Sequence, residues 1–178
     1  IKIIEFNRDR VVIIDEAYVD FGGKSAAGLV KKYPNLLVIQ TLSKSRALAG
    51  LRVGFAFGHK ELIEGLNRIK NSINSYTIDR LAIAGAVEAI KDVDYFDKLC
   101  AKVIATRDKF VPEFVRLGFK VIDSKANFIF VSHNRVNAGK IFEELKRNGV
   151  LVRYFNKPRI NNYLRISIGT DREMTILI

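Results

Sequence analysis

The sequence of 178 residues predicts an α/β domain that is followed by a smaller α+β region. In the first part, the apolar runs RVVIID, NLLVIQ and RVGFAFG have the length of buried strands and alternate with polar loops and helical segments. After Gly118 the pattern changes to short strands around one amphipathic helix. We therefore assign residues 1–117 to part of a large α/β domain that ends in a bridging helix, and residues 118–178 to a small α+β domain.

The spacing of apolar residues predicts the helices of the first part. A short helix near residues 25–32 separates the first two strands, and a further helix starts at Glu61. The segment 79–91 is apolar on nearly every side, so we expect that helix to be buried. The bridging helix covers about residues 94–117, and we expect Pro112 to kink it because proline lacks a backbone donor.

The small domain and the two chain ends complete the pattern. The segments FKVI, NFIFV, VLVRYF and YLRISIG are predicted strands, and residues 137–148 are predicted to form the helix between them. The first residues, IKIIEFN, resemble a strand and lack an initiator methionine, while REMTILI holds barely one turn of a helical pattern. Both ends look cut, so we expect the chain to be a fragment of a longer protein.

The charge of the chain favours anionic ligands. Thirty Lys and Arg residues against nineteen Asp and Glu residues give a net charge of +11, which attracts anions or, less specifically, polyanions. The basic residues are spread along the chain, with no arginine-rich arm and no nucleic-acid-binding motif. We therefore expect a solvated basic surface, a phosphate-binding pocket and no specific nucleic-acid partner.

The cysteine and histidine content excludes two classes of site. The single cysteine, Cys100, excludes an internal disulfide framework and fits a reducing compartment. His59 and His133 are far apart in the sequence and have few neighbours that bind metals, so we expect no metal site. No apolar run has the length of a membrane span, and no signal-peptide pattern opens the chain. These features predict a cytoplasmic protein without a membrane partner.

Three polar residues closely follow the predicted strands. Asp15 ends the first strand, Tyr18 lies three residues later, and Lys44 follows the second strand. Ligand sites in open α/β sheets gather at the carboxyl ends of the strands, so these side chains can converge on one crevice. A carboxylate, a phenol and a lysine are what an aldehyde cofactor with a ring nitrogen requires, because the lysine can bind the aldehyde as an imine.

Each of these residues alone has an ordinary structural explanation. An aspartate at a strand end is often a cap, a tyrosine after it often packs in the core, and a lone lysine is usually on the surface. Their order and flanking residues, DEAY and then TLSKSRALAGLRVG, favour a shared site. The second segment is the more specific one, because it combines LSK with the arginine of GLRVG eight residues after the lysine.

The motifs VVIIDEAYVDF, TLSKSRALAGLRVGFAFG, GVLVRYF and YLRISIGT, in this order, resemble those of the fold-type I pyridoxal-phosphate aminotransferases. Within that superfamily, the sequence is most similar to the histidinol-phosphate aminotransferases, from the first residue to about residue 173. The resemblance implies that residues 1–117 are part of the large cofactor-binding sheet domain and that residues 118–178 are the small C-terminal domain. It also implies pyridoxal 5'-phosphate as the cofactor and a homodimer.

The resemblance further implies a role for each candidate residue. Lys44 would form an imine with the cofactor aldehyde and would move the proton between substrate and cofactor. Asp15 would pair with the pyridine nitrogen, and Tyr18 would bind the phenolic oxygen. Ser43 and Arg52 would hold the cofactor phosphate, for which the rigid fork of an arginine is suited.

Three further residues are candidates for substrate binding. Arg165 stands in a predicted strand of apolar and hydroxyl residues, where an unpaired guanidinium is costly to bury, so it should bind an anion. The resemblance implies that Arg165 binds the substrate carboxylate or phosphate and that Arg153 helps to bind the phosphate. An exposed strand position explains Arg153 almost equally well. Tyr76 is a candidate that approaches the same site.

The sequence also departs from the family pattern. Full-length relatives carry an upstream stretch with a phosphate-binding loop, an asparagine beside the pyridine ring and a tyrosine for the partner subunit, and none of these occurs in this chain. Arg46 and Ala47 stand where many relatives have an aromatic residue and a glycine. We therefore expect the isolated chain to be inactive, to bind pyridoxal phosphate weakly or not at all, and to self-associate through the edge of its first strand.

Three functions fit these observations. The first is transamination between histidinol phosphate, or its oxo form, and glutamate or 2-oxoglutarate in histidine biosynthesis, so that the partners are an amino-alcohol phosphate or amino acid and a 2-oxo acid. The second is a related activity of the superfamily, either transamination of aromatic amino acids or decarboxylation of threonine phosphate. The third is noncatalytic binding of polyanions by a basic α/β domain.

Overall fold

The computed structural model describes all 178 residues, which form two compact units. The first unit contains residues Ile1–Val19 and Gly23–Asp97, and the second contains Asp20–Gly22 and Lys98–Ile178. Helices and strands occur in both units, which confirms the predicted mixture of α and β structure. The division falls inside the long helix, whereas the sequence predicts a boundary after Leu117. None of the helices combines the length and the apolar character that a membrane span requires.

The first unit is built on a three-stranded sheet in which β2 is the central strand. The strands are β1 (Val12–Asp15), β2 (Leu36–Thr41) and β3 (Gly54–Gly58). β1 runs parallel to β2, and β3 runs antiparallel to it. Leu36 and Val38 of β2 are completely buried, so the continuous apolar run NLLVIQ forms the buried strand that it predicts.

The helices of the first unit are α1 (Lys2–Phe6), α2 (Lys60–Ile73), α3 (Arg80–Lys91) and the beginning of α4 (Val93–Arg116). The strand-like reading of the opening residues is therefore wrong, because they form α1. Ile4 of this helix packs against β2, and the side-chain amide of Asn35 donates to the Ile4 carbonyl at 3.1 Å. Residues 25–32 contain only a 3₁₀ turn, Ala27–Leu29, in place of the predicted short helix.

Helix α3 is less buried than its apolar sequence predicts. Only Ala82 and Ala86 are buried, and they pack in one cluster with Leu42 and Val53. The larger apolar side chains of the helix are exposed on its other sides: Leu81, Ile83, Val87 and Ile90. The prediction of a buried helix is wrong for this chain, because an apolar surface is buried only where a neighbouring element covers it.

The second unit is a four-stranded antiparallel sheet that packs against three helices. Its strands are β4 (Phe119–Ile122), β5 (Phe128–His133), β6 (Arg153–Tyr154) and β7 (Leu164–Ser167), in the spatial order β4-β5-β7-β6. Its helices are α4, which continues through Pro112, α5 (Ala138–Arg147) and α6 (Asp171–Leu177). The core includes side chains from β5, β7, α4 and α6: Phe110, Phe114, Ile129, Val131, Leu164, Ile166 and Met174. The predicted strands are confirmed, although β6 is shorter than VLVRYF suggests.

Hydrogen bonds attach the last helix, α6, to α4. Thr170 and Glu173 form a reciprocal capping box, and the hydrogen bonds from Thr170 lower the pKa of the Glu173 carboxyl below its usual value. Asp171 accepts hydrogen bonds from Lys109 Nζ at 2.6 Å and from Thr106 Oγ1 at 2.7 Å, and these bonds lower the pKa of its carboxyl. The short pattern REMTILI thus forms an anchored helix.

The buried guanidinium of Arg107 explains why residues 20–22 belong to the second unit. Arg107 lies in α4, is 2% exposed and donates to the carbonyls of Phe21 at 2.8 Å and Ala126 at 3.1 Å. Its Nε donates to Asp108 at 3.1 Å. Burial of a charge is costly unless it is paired and hydrogen-bonded, and Arg107 meets both conditions. This side chain therefore fixes a short loop segment to a distant helix.

Candidate active site

The carboxyl end of β1 presents Asp15 to solvent. Asp15 is exposed, and its Oδ1 accepts a hydrogen bond from the N–H of Ala17 at 3.0 Å. The next residue, Glu16, is buried, and its carboxylate accepts hydrogen bonds from the Ser25 hydroxyl at 2.7 Å and the Gln40 amide at 2.8 Å. Because Gln40 belongs to β2, Glu16 ties the end of β1 to the central strand. A fixed strand end thus carries an exposed carboxylate.

Lys44 lies in the turn that follows β2, which we call the lysine turn and define as residues 42–48. Leu42 and Ser45 of this turn are each 2% exposed, so they anchor it in the first unit. Lys44 itself is exposed, and its Nζ lies 5.4 Å from the centroid of the Tyr18 ring. The structure therefore brings Lys44 and Tyr18 together, at the edge where the parallel strands β1 and β2 end.

Ser43 and Arg52 lie on neighbouring segments beyond the β2–β3 ladder. The N–H of Leu42 donates to the Val53 carbonyl at 3.1 Å, so the antiparallel pairing continues past the strand ends toward Ser43 and Arg52. The Ser43 N–H donates to Thr41 Oγ1 at 3.1 Å. Arg52 is exposed and donates from Nη1 to the Ala49 carbonyl at 2.8 Å. The remaining donors of Arg52 face solvent and are suited to an anion such as a phosphate.

The side chain of Arg46 holds the lysine turn against α3 and α4. Its guanidinium carbon lies 3.6 Å above the centroid of the Phe96 ring, within the range of a cation–π contact. Its Nη1 donates to the carbonyl of Ala89 and, at 3.4 Å, to that of Asp92. Both carbonyls lie at the carboxyl end of α3, where a positive charge is favourable. Arg46 thus fixes the chain two residues after Lys44.

Tyr76 is not brought to this group of residues. It lies in the segment between α2 and α3 and is 92% exposed. The hydrogen bond at this position is made by its backbone N–H, which donates to Asn74 Oδ1 at 3.0 Å. A role for Tyr76 in substrate binding therefore stays a prediction from the sequence.

Arg153 and Arg165 form a second candidate site, on the sheet of the second unit, which we call the arginine pair. They are directly opposite each other in the antiparallel pairing of β6 and β7. Their strand neighbours Tyr154 and Leu164 pack in the core, so both arginines lie on the opposite face of the sheet. Neither side chain forms a hydrogen bond or an ion pair within the chain, although both lie near aromatic rings. Two adjacent cations without a carboxylate partner favour an anionic ligand.

Cys100 and His133 are in structural positions. Cys100 is buried in α4. His133 Nδ1 accepts the backbone N–H groups of Arg135 and Val136, each at 3.1 Å, and its Nε2 lies 3.2 Å from the Leu117 carbonyl. No group of three or more His, Cys, Asp or Glu side chains is arranged to hold a metal ion.

Three residues that support these two sites were not identified from the sequence: Glu16, Arg46 and Phe155. Glu16 lies within the motif DEAY, and its position between Asp15 and an apolar loop could have indicated a buried carboxylate. The sequence indicates Arg46 only as a departure from the family pattern. The ring of Phe155 lies within 6 Å of both members of the arginine pair. In the sequence, only its spacing of two residues from Arg153 indicates that the two side chains share a face.

Comparison with known proteins identifies the class of protein to which this fold and site belong. Residues 2–178 match the family described as aminotransferase class I and II, and the chain belongs to this family. A lysine beside a tyrosine and a carboxylate at adjacent strand ends agrees with that assignment.

Several similar proteins are histidinol-phosphate aminotransferases. The chain is 63% identical over 174 residues to the enzyme of Clostridium acetobutylicum, and 64% identical over 177 residues to that of Clostridium beijerinckii. These alignments cover 98% and 99% of this chain but 49% of each relative, so the chain spans about half their length. The fold is also similar to the crystal structure of the Sinorhizobium meliloti enzyme in complex with pyridoxal-5'-phosphate, with a TM-score of 0.84 at 24% identity, over 99% of this chain and 50% of that one.

Proposed function

We propose that this chain is part of a pyridoxal-phosphate-dependent aminotransferase that exchanges an amino group between histidinol phosphate and 2-oxoglutarate in histidine biosynthesis. The observation that carries the proposal is the distance of 5.4 Å between Lys44 Nζ and the Tyr18 ring, at the strand edge that also carries Asp15. The high identity to histidinol-phosphate aminotransferases supports the choice of substrate.

The donors and acceptors of the first unit fit the polar groups of pyridoxal 5'-phosphate. The exposed carboxylate of Asp15 suits a protonated ring nitrogen, and the phenol of Tyr18 suits the phenolic oxygen of the cofactor. Ser43 and Arg52 lie on adjacent segments with donors that suit the phosphate. When bound, the cofactor supplies an electron sink for the carbanion that forms at the substrate α-carbon.

The residues of this chain supply attachment, proton transfer and orientation. Lys44 would hold the cofactor through its aldehyde and would carry the proton between the substrate α-carbon and the cofactor. Asp15 keeps the ring nitrogen protonated from a strand end that Glu16 fixes in place. Arg46 and the buried Ser45 restrict the lysine turn, so that the amine returns to the same position in each cycle.

The arginine pair binds the acidic groups of the substrates in this proposal. Arg165 binds the phosphate of histidinol phosphate or the carboxylate of the amino acid partner, and Arg153 contributes to phosphate binding. The absence of an internal hydrogen-bond or ion-pair partner for either guanidinium supports this role. Tyr76 is retained as a residue that approaches the substrate.

The proposal extends to the assembly, the domains and the location. We assign residues 1–117 to the large cofactor-binding domain and residues 118–178 to the small domain. The exposed apolar side chains of α3, among them Leu81 and Ile83, support a homodimer or contact with the remainder of a longer chain, because large exposed apolar areas often mark interfaces. Catalysis requires that remainder, and the location is cytoplasmic.

Borohydride trapping in the complete protein tests the proposal. After addition of pyridoxal phosphate and reduction, mass spectrometry of peptides should find the label on Lys44, and not on the exposed Lys31 as an internal control. Turnover with histidinol phosphate and 2-oxoglutarate should exceed turnover with phenylalanine or tyrosine, and threonine phosphate should release no carbon dioxide. Absence of label together with steeply salt-dependent DNA binding would favour a noncatalytic polyanion-binding domain.

A further inference from the structure

The ring of Phe155 lies close to both guanidinium groups of the arginine pair. Its centroid is 5.4 Å from Cζ of Arg153 and 5.8 Å from Cζ of Arg165. Phe155 follows β6 two residues after Arg153, which is the spacing that returns a side chain to the same face of a strand. One ring thus contacts two cations that belong to opposite strands.

Other aromatic rings hold Phe155 in position. It packs edge-to-face against Phe130 of β5, with the ring centroids 6.5 Å apart, and Phe130 is stacked on Tyr163 at 4.7 Å. Phe128, also in β5, lies 5.3 Å from Cζ of Arg165. The arginine pair therefore rests on a row of rings that are fixed by the sheet.

The two arginines would not stay side by side without such support. Like charges directly opposite each other in an antiparallel pair repel, and arginine side chains have many rotamers. No carboxylate offsets this repulsion, since neither arginine has an ion-pair partner in the chain. Attraction of each cation to the ring face opposes the repulsion. The ring leaves the N–H donors of both guanidinium groups free for a ligand, which a carboxylate would not.

We propose that Phe155 is a positioning residue, which holds Arg153 and Arg165 side by side so that both can bind one tetrahedral dianion. The inference rests on the proposed function for the ligand class, a phosphate monoester. Two aligned guanidinium groups neutralise the two charges of such a ligand, and each can donate a pair of hydrogen bonds to its oxygens. A monoanion of the same shape gains less from the second arginine.

Anion binding to the complete protein tests this role. The protein is saturated with pyridoxal phosphate, so that the cofactor phosphate site is filled, and is titrated calorimetrically with methyl phosphate and with methyl sulfate. The titrations are made at about pH 8, where a phosphate monoester carries two charges because its second pKa is about 6. Phe155→Leu should weaken methyl phosphate binding about 5- to 10-fold and methyl sulfate binding less than about twofold, whereas Phe155→Tyr should stay within about twofold for both.

Control variants separate this role from a general loss of structure. Phe6→Leu makes the same change at a phenylalanine that is 89% exposed and should alter neither affinity. Thermal unfolding is recorded for each variant, and Phe155→Met, a second replacement without a ring, is used if Phe155→Leu does not fold. The inference is overturned if the folded variant without the ring leaves methyl phosphate binding unchanged, or if it weakens binding of both anions equally.

The same titrations distinguish failure of the inference from failure of the proposed function. If Arg153→Ala and Arg165→Ala weaken methyl phosphate binding but the Phe155 variants do not, only the positioning role of Phe155 is overturned. If neither arginine variant changes methyl phosphate binding, the arginine pair is not a phosphate site. In that case the assignment of the substrate-binding residues fails together with the role of Phe155.

Discussion

The lysine turn and the arginine pair are held in place by different kinds of interaction. The lysine turn is anchored by buried Leu42 and Ser45 and by Arg46, which donates hydrogen bonds to backbone carbonyls at the end of α3. The side chains of the arginine pair have no hydrogen bonds within the chain, and aromatic rings on a regular sheet support them. In the first region side-chain hydrogen bonds and buried residues fix a turn around one lysine, whereas in the second the sheet fixes the backbone and ring faces support the two arginine side chains.

This difference corresponds to the chemistry proposed for each region. A lysine that binds an aldehyde and transfers a proton must return to one position, because reaction rates depend strongly on orientation. An arginine that binds an anion must keep its donors free until the ligand arrives, and a ring contact occupies none of them. The predictions that follow test whether the two regions differ in this way.

Replacement of the lysine should have the largest effect. We expect Lys44→Ala in the complete protein to lower turnover by about 100-fold or more, because no neighbouring residue can both bind the aldehyde and transfer the proton. Steady-state transamination and borohydride trapping measure the loss. Lys31→Ala, at an exposed lysine of the same unit, should retain activity. Substantial turnover of the Lys44 variant would contradict the assignment of the active site.

Loss of one member of the arginine pair should have the next largest effect, and it should appear in binding. A charge-assisted contact to an anion contributes about 1.5 to 3 kcal/mol, so Arg165→Ala should weaken binding of histidinol phosphate about 10- to 150-fold. The unfolding midpoint should change little, because the side chain makes no hydrogen bond within the chain. Arg147→Ala, which removes an exposed ion pair with Glu144 in α5, is the matched control.

An unchanged substrate affinity in Arg165→Ala would show that this arginine has no role in the ligand site. A large drop in the unfolding midpoint would instead show that it supports the sheet. Either result would remove the contrast with the lysine turn, since the pair would then be a structural feature of the small domain.

The sequence predicts the first region better than the second, for a physical reason. The strands that end beside Asp15 and Lys44 are continuous apolar runs, so their positions and the convergence of their ends follow from local sequence, although only β2 is buried. The contact of Arg46 with Phe96 joins residues that are 50 positions apart, and the contact of Phe155 with Arg165 joins different segments of the small sheet. No period or motif records such a contact, because it depends on how the elements pack.

The failed prediction for α3 has the same origin. Its sequence is apolar on nearly every side, and this pattern reports which surfaces avoid water. It does not report which element covers them. In this chain only the side with Ala82 and Ala86 meets a neighbour, so the other sides are exposed.

The contacts of Arg46 should contribute to stability, in contrast to those of Arg165. We expect Arg46→Ala to lower the free energy of unfolding by about 1 to 2 kcal/mol, because it removes a stacked cation and hydrogen bonds to two carbonyls. Arg46→Lys should recover little of this, since lysine lacks the planar fork. Arg68→Ala, which removes an exposed pair with Glu64 in α2, should cost less than about 0.5 kcal/mol.

Denaturant unfolding of the three variants measures these differences. Turnover of Arg46→Ala should also fall if the lysine turn needs this anchor. Equal stability of Arg46→Ala and Arg68→Ala would mean that the contacts of the Arg46 side chain do not stabilise the lysine turn. The two regions would then no longer differ in the contribution of side-chain hydrogen bonds.

The smallest expected effect is a gain in stability at the residue after Arg46. Ala47 has a φ of 55°, in the left-handed region where a Cβ is unfavourable and glycine is not. The positive φ therefore favours a glycine at this position. We expect Ala47→Gly to raise the free energy of unfolding by about 0.5 to 1 kcal/mol, since the relief of strain exceeds the entropy that glycine adds to the unfolded chain. Ala101→Gly, at an exposed position inside α4, should instead lower stability by about the same amount. If denaturant unfolding shows a gain of stability for Ala47→Gly and a loss for Ala101→Gly, the backbone of the lysine turn is strained. A loss of stability in both variants would show that the turn is not strained.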